Sequence, residues 1–285
     1  MFDSERLRSF ARFWLPPGLV HLVRRLHFTA TNRRALLLAA GNARFRNRHK
    51  GQRCFILCNG PSVKRQNLLA LRGEIIFSVS SGYLHEDYPA YQPTYHCTPQ
   101  LTYTDRFTKE RAVSFFREMH ERVGQAELFH SYQEERLIRE NGLFPGRRIN
   151  YLCMHGALDP ASTTMPDIAK LVPGVSSVPI MCLYIAMYMG FKDIYLVGTE
   201  HDSFRTREYK YFFEPTVLKG VSGGVDDKDR ITYPVCDALY IYYMLFTQYR
   251  TLKRIAGLHG ICIYNATIGG ALDEFERVAL EDVLR

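Results

Sequence analysis

The chain has 285 residues, 46% of them apolar and 23% charged, enough for one large α/β domain or a domain with an appendage and for an ordinary buried core. No run of 18 or more apolar residues exists, which excludes a bilayer-spanning helix, and the seven cysteines form no CxxC pair, which excludes a structural zinc site of that kind and points to a reducing compartment such as the bacterial cytoplasm. The net charge of +8 is uneven: residues 1–53 hold 12 Lys/Arg against 2 Asp/Glu, or +10, so the rest of the chain carries −2.

The pattern predicts a basic, amphipathic, helical arm over residues 1–52 and an α/β domain over residues 53–285. In the arm, FARFWLPPGLVHLVRRL (Phe10 to Leu26) interleaves Phe, Trp and Leu with arginine. That composition suits an anionic membrane surface, or a helix packed on the body with its arginines outside. Nucleic acid fits less well, because the arm has no recognised fold and the body is acidic. Breaks are expected near Pro16-Pro17-Gly18 and from Thr29 to Asn32.

The first predicted strand, Cys54 to Cys58, stops at Asn59-Gly60-Pro61-Ser62. A polar segment with helical potential and a second strand, Ile75 to Val79, complete a β-turn-α-β opening. Gly60 admits a close backbone approach, Pro61 stiffens the turn, and Ser62 is placed to cap a helix whose N-terminus would attract an anion. The turn has neither the GxGxxG nor the GxxxxGK[ST] spacing. A third strand, Thr94 to Thr98, also ends in polar residues.

Helical spacing of Phe107, Val113, Phe116 and Met119 predicts a helix over 105–122. Strands are expected at Ala126 to His130 and Ile149 to Cys153, with a surface helix from Tyr132 to Asn141 between them. Ser176 and Ser177 precede an apolar helix, Val178 to Tyr188. A strand, Asp193 to Val197, then runs into Gly198-Thr199-Glu200-His201-Asp202. Residues 205–230 read as a mobile loop over the site, Pro234 to Ala256 as an aromatic-rich helix, and Gly260 to Tyr264 as the last strand, ending at Asn265-Ala266-Thr267.

Four strand ends therefore carry small or polar residues: Asn59 to Ser62, Ser80 to Gly82, Gly198 to Asp202, and Asn265 to Gly270. In a mostly parallel sheet flanked by helices they lie on one edge, which is the predicted pocket.

At these residues the chain resembles the MptE-like Rossmann family of bacterial surface-polysaccharide and flagellin-glycosylation proteins. Its NGPS turn and GFKDIYLVG segment are also similar to the bacterial lipooligosaccharide sialyltransferases, which use CMP-sugars on a related fold. The resemblance implies a Rossmann-like fold and a nucleotide's phosphate or ribose at Asn59, Gly60 and Ser62. It also implies donor-facing hydroxyls at Ser176 and Ser177, and a G-(D/E)-H turn at Gly198, Glu200 and His201. Ser80 stands where the family commonly has Asn. Tyr211-Phe212-Phe213 replaces an H-F-Y-like triplet, and Val221 to Pro234 lacks the histidine that the sialyltransferases carry there.

These observations set the expectation of a glycosyltransferase of cell-surface polysaccharide or lipopolysaccharide assembly, moving an acidic keto-sugar from a CMP-activated donor to a glycan acceptor. It would work at the cytoplasmic side of the membrane, with no cofactor beyond the donor and no metal. His201 is the candidate base and Glu200 its partner or substitute. Asn59, Gly60, Pro61, Ser62, Ser80, Thr98, Ser176, Ser177, Gly198 and Tyr211 are the candidate donor-binding residues, with Tyr209 and Tyr211 near the leaving phosphate. His85, His96 and His155 are read as structural, and the Asp226-Asp227-Lys228-Asp229 run as a solvated loop. The alternatives are a magnesium- and ATP-dependent 6-hydroxymethylpterin diphosphokinase-like enzyme, implied by other members of the family, and a non-catalytic nucleotide-binding scaffold.

Overall fold

The structure is a computed structural model that describes residues 17–103, 107–206, 208, 210–213 and 233–285. Nine strands form one sheet: β1 (Arg53–Leu57), β2 (Ile76–Val79), β3 (Tyr95–Thr98), β4 (Glu127–Ser131), β5 (Ile149–Met154), β6 (Leu171–Val172), β7 (Asp193–Val197), β8 (Cys262–Asn265) and β9 (Glu276–Arg277). Their order is β6-β5-β4-β3-β2-β1-β7-β8-β9, and every pairing is parallel. This is a Rossmann-like α/β arrangement, as the sequence predicts.

A parallel sheet covered on both faces needs strands apolar on both sides, and Cys54 to Leu57 supply that run. Phe55, Leu57, Ile76 and Leu128 face one layer, beneath the helix Lys109–Arg122. Cys54, Ile56, Phe77 and Cys97 face the other, beneath the helices Val178–Tyr188 and Val235–Leu258. In chain order the helices of six or more residues are α1 (Pro17–Thr31), α2 (Arg33–Ala40), α3 (Lys109–Arg122), α4 (Glu135–Glu140), α5 (Val178–Tyr188) and α6 (Val235–Leu258). Helix α5 is apolar on every side, and all its residues except Val178 are buried, so it lies in the core.

Residues 33–52 are packed into the body. Ala35 and Ala39 of α2 meet Cys153 of β5, and Phe45 is fully buried in the main core. Backbone amides of Asn47, His49 and Gly51 bond to the carbonyls of Tyr188, Met189 and Gly190. The arginines of this stretch pair with acids far along the chain: Arg34 with Glu135, Arg44 and Arg48 with Glu127, and Arg46 with Asp167. Residues 1–16 of the expected arm lie outside the described residues. Among the described residues no helix is long and apolar enough to cross a membrane.

One local expectation is corrected. The polar segment after the NGPS turn is not an α-helix but two 3-10 turns, Pro61–Arg65 and Leu68–Leu71. The chain is extended at Gln66, whose amide reaches across to the carbonyl of Ala266 (2.8 Å), so no helix continues through it. Most of the predicted loop over the site, with Tyr209 and the Asp226–Asp229 run, lies outside the described residues.

Candidate functional site

Strand β1 pairs with β2 on one side and β7 on the other. The chain builds outward from β1 to β6 and returns through α5 to β7, so the strand order reverses between β1 and β7. The carboxyl edge at such a reversal is the crevice where sheets of this kind usually take a ligand, and here the loops leaving β1 and β7 bond to each other across it. All four polar strand ends lie on that edge, at the neighbouring strands β2, β1, β7 and β8.

Glu200 clasps three of these ends together. It is 8% exposed, and its Oε1 accepts the Ser62 N–H at 2.7 Å. Its backbone carbonyl accepts the Ala271 N–H at 2.7 Å, and the Gly60 N–H donates to the carbonyl of Gly198 at 3.0 Å. Gly60 is glycine because of this clasp: a Cβ there would lie 1.5 Å from Glu200 Oε2. Gly270, at φ +79°, carries the same constraint, with a Cβ 2.6 Å from Glu200 Cα. The Thr199 N–H donates to Thr267 Oγ1 (2.9 Å), the Thr267 N–H to Asn265 Oδ1 (3.0 Å), and the Asn265 amide to the Leu272 carbonyl (2.8 Å). From outside, Arg277 gathers the carbonyls of Thr267, Gly269, Gly270 and Leu272.

This geometry revises the chemistry expected of the NGPS turn. The Ser62 N–H already serves the protein's own carboxylate, and the turn opens a five-residue 3-10 segment with little dipole to offer. Pro61 is exposed at its start, and Ser62 Oγ is buried without a protein partner. Asn59 ties the ends of β1 and β2: its amide donates to the Val79 carbonyl (3.2 Å), while its Oδ1 is buried and unpartnered. The Asn59 carbonyl accepts the Phe212 N–H (3.0 Å), which brings Tyr211, stacked on Phe213, to the same crevice.

Ser80 ends β2 with φ 45°. Its carbonyl can only accept, so His96 Nε2, 3.0 Å away, carries the proton. His96 Nδ1 is thereby an acceptor, 2.7 Å from Ser78 Oγ and 3.2 Å from Tyr88 Oη. Burial pushes the His96 imidazole down to about 3, which keeps this relay neutral. Thr98 stands apart from the cluster: it is fully buried, with Oγ1 3.7 Å from Met119 Sδ of α3.

The other half of the crevice rests on α6. His201, at φ 48°, places its Nε2 2.8 Å from Tyr249 Oη, and burial lowers the imidazole to about 4. Burial also raises the Tyr249 phenol, which stays protonated. One residue earlier on α6, Gln248 accepts the Ser176 N–H (2.9 Å) and donates to the Gly174 carbonyl (2.9 Å). Gln248 thus fixes the approach to α5, whose N-cap is Ser177 with its hydroxyl free of the helix. In the first turn of this 11-residue helix Val178 has an amide without an intrahelical acceptor, Pro179 has no N–H, and the Ile180 N–H donates to the Ser177 carbonyl (3.1 Å); Ser176 is exposed beside it. Of the two segments, α5 is the longer and carries the larger dipole at its N-terminus.

Sequence reasoning did not single out Gln248 or Tyr249, which sit among many polar and aromatic residues of α6 at ordinary helical spacing. It also missed Glu134. That residue is fully buried, accepts the Leu101 N–H (2.9 Å) and the Tyr103 hydroxyl, and so anchors the loop after β3; burial raises its carboxyl. Among the described residues no group of three His, Cys, Asp or Glu is placed to hold a metal ion. No protein-family model matches the chain, and no curated protein gives a significant match.

Proposed function

We propose that the protein is a glycosyltransferase that uses a CMP-activated acidic keto-sugar and serves bacterial surface-glycan assembly. The observation that carries the reading is the juxtaposition, through Gln248 and Tyr249 of α6, of the Ser176–Ser177 helix end with His201 at the switch point. The motif resemblance to the MptE-like family and the sialyltransferases supplies the donor class. In this reading the donor's phosphate lies against the N-terminus of α5, where the Val178 N–H, the helix dipole and the Ser176 and Ser177 hydroxyls offset the charge that grows as CMP departs. Asn59 Oδ1 is an acceptor for a hydroxyl of the donor.

The bond from the anomeric carbon to the phosphate oxygen breaks, the acceptor oxygen forms the new bond to that carbon, and the acceptor's proton moves to His201. A neutral imidazole whose Nε2–H donates to Tyr249 Oη has Nδ1 left for that proton. Its low basicity suits a late transfer, after bond formation has made the hydroxyl acidic. Glu200 acts in this scheme as the clasp that ties the loops after β1, β7 and β8 together.

A thermal-shift screen against CMP, CDP, UDP, GDP, ADP and ATP, each with magnesium and with EDTA, tests the donor class. A ligand bound only by the native state raises its stability by mass action. Stabilisation by CMP that survives EDTA is the expected result. Stabilisation by ATP with magnesium alone would replace this reading with the diphosphokinase one, and no shift with any nucleotide would leave a scaffold.

A further inference from the structure

The carboxyl edge of the sheet is flanked by two exposed apolar helix faces that no packing among the described residues explains. On α1, Leu19, Leu22, Val23 and Leu26 recur at i, i+3, i+4 and i+7, and all four are exposed, Leu26 at 60%. Phe28, on the opposite side of that helix, stacks on His155 with ring centroids 4.2 Å apart. His155 follows the last residue of β5, so α1 leaves the body at the carboxyl edge. Its stripe continues into an open groove of about 550 Å³ between α1 and α2, which Leu26 and Leu37 line.

The second face is the N-terminal half of α6. Val235, Leu239 and Tyr243, at i, i+4 and i+8, are exposed together with Tyr240, while Ala238 and Tyr242 along one border of this face are buried. Tyr242 bonds to Ser203 and packs on Phe204, in the loop beyond β7, so this half of α6 also stands at the carboxyl edge.

We propose that the protein docks on an anionic lipid surface through these two faces together, with the carboxyl edge of its sheet turned toward the bilayer. Charge on α1 selects the occupant, while the N-terminal half of α6 adds one exposed acid, Asp237, and no base. Residues 17–33 contain Arg24, Arg25 and Arg33 and no acidic residue, the pattern of a helix that lies in an anionic interface. Tyr240 and Tyr243 give the α6 face the amphipathic aromatics that settle at headgroup depth. A docked molecule would hold its crevice against the membrane, where a lipid-linked substrate presents its headgroup. The docking does not rest on the donor assigned above, because it is read without nucleotide.

The test is co-sedimentation of the full chain with vesicles of equimolar phosphatidylcholine and phosphatidylglycerol, and with vesicles of phosphatidylcholine alone. Leu22→Glu/Leu26→Glu on α1 and Leu239→Glu/Tyr243→Glu on α6 are compared with the parent chain. All four positions are exposed, and circular dichroism checks that each variant keeps its fold. The expected result is binding to the anionic vesicles only, lost in both double variants. Absence of binding by the parent chain, or binding that survives either pair, overturns the proposal. So does size-exclusion chromatography in which the parent chain is a dimer that either pair splits, since the faces would then meet a second copy.

Discussion

Replacing Gly60 with Ala tests the clasp around Glu200 at its tightest point. The new Cβ would lie 1.5 Å from Glu200 Oε2, 2.3 Å from its Cδ and 2.6 Å from the carbonyl oxygen of Gly198. No rotamer change at position 60 relieves this, because Cβ has no rotamer, so the carboxylate must swing away. That breaks the 2.7 Å bond to the Ser62 N–H. A hydrogen bond to a charged group contributes about 2 kcal/mol, and leaving the amide buried and unpaired costs about as much again. A loss of roughly 3–4 kcal/mol follows, which at the usual unfolding entropy per residue lowers Tm by about 6 °C. Urea and thermal denaturation followed by circular dichroism measure it. The same substitution in a Glu200→Ala background meets only the Gly198 carbonyl and should cost less, with a coupling of about 1.5 kcal/mol or more. Equal costs in the two backgrounds, or a Gly60→Ala protein as stable as its parent, would refute the clasp.

Three further predictions concern the buried histidines and α6. Burial holds His96 and His130 down to about 3 and His201 down to about 4, against an ordinary value near 6.5. Each is depressed in the folded state, so its contribution to stability is complete above about pH 6.5 and drains away as pH falls toward 4 and then 3. For His201 the full loss is roughly 3 kcal/mol, and urea midpoints measured from pH 7 to pH 4 should fall accordingly. His130 has both ring nitrogens buried without a protein partner, between Phe116 and Phe144; His130→Leu should leave stability at pH 7 unchanged or higher and flatten part of the acid loss in the same titration. Gln248→Ala removes both bonds that set the start of α5. It should weaken CMP binding in calorimetry by about tenfold, the equivalent of about 1.4 kcal/mol, while far-UV circular dichroism stays the same.

Much of the fold was legible because its signals are local. The apolar run between Ser177 and Gly190 gave α5 the same bounds that the structure has, and Asp193–Val197 likewise, since Ser177 and Gly190 bracket the helix and Gly190 and Gly198 the strand. The other longer strands lie within two residues of expectation. The two-residue strands β6 and β9 exist only through pairing with a neighbour and leave no periodicity to read. The convergence of four polar strand ends followed from the single assumption of a parallel sheet. What the sequence concealed is non-local. Arg34, Arg44, Arg46 and Arg48 read as a free basic face because their acidic partners lie about 80 to 120 residues away. Nothing in the sequence around Glu200 announces the Ser62 amide that it holds.

The most direct test of the account is release of CMP from CMP-sialic acid and CMP-Kdo in the presence of EDTA, followed by phosphorus NMR on the parent chain and on His201→Ala. The account predicts steady CMP release above the spontaneous rate by the parent chain and a loss of that excess in the variant. A parent chain that leaves both donors at their spontaneous rate, with and without a glycan acceptor, or a His201→Ala variant as fast as its parent, would contradict it.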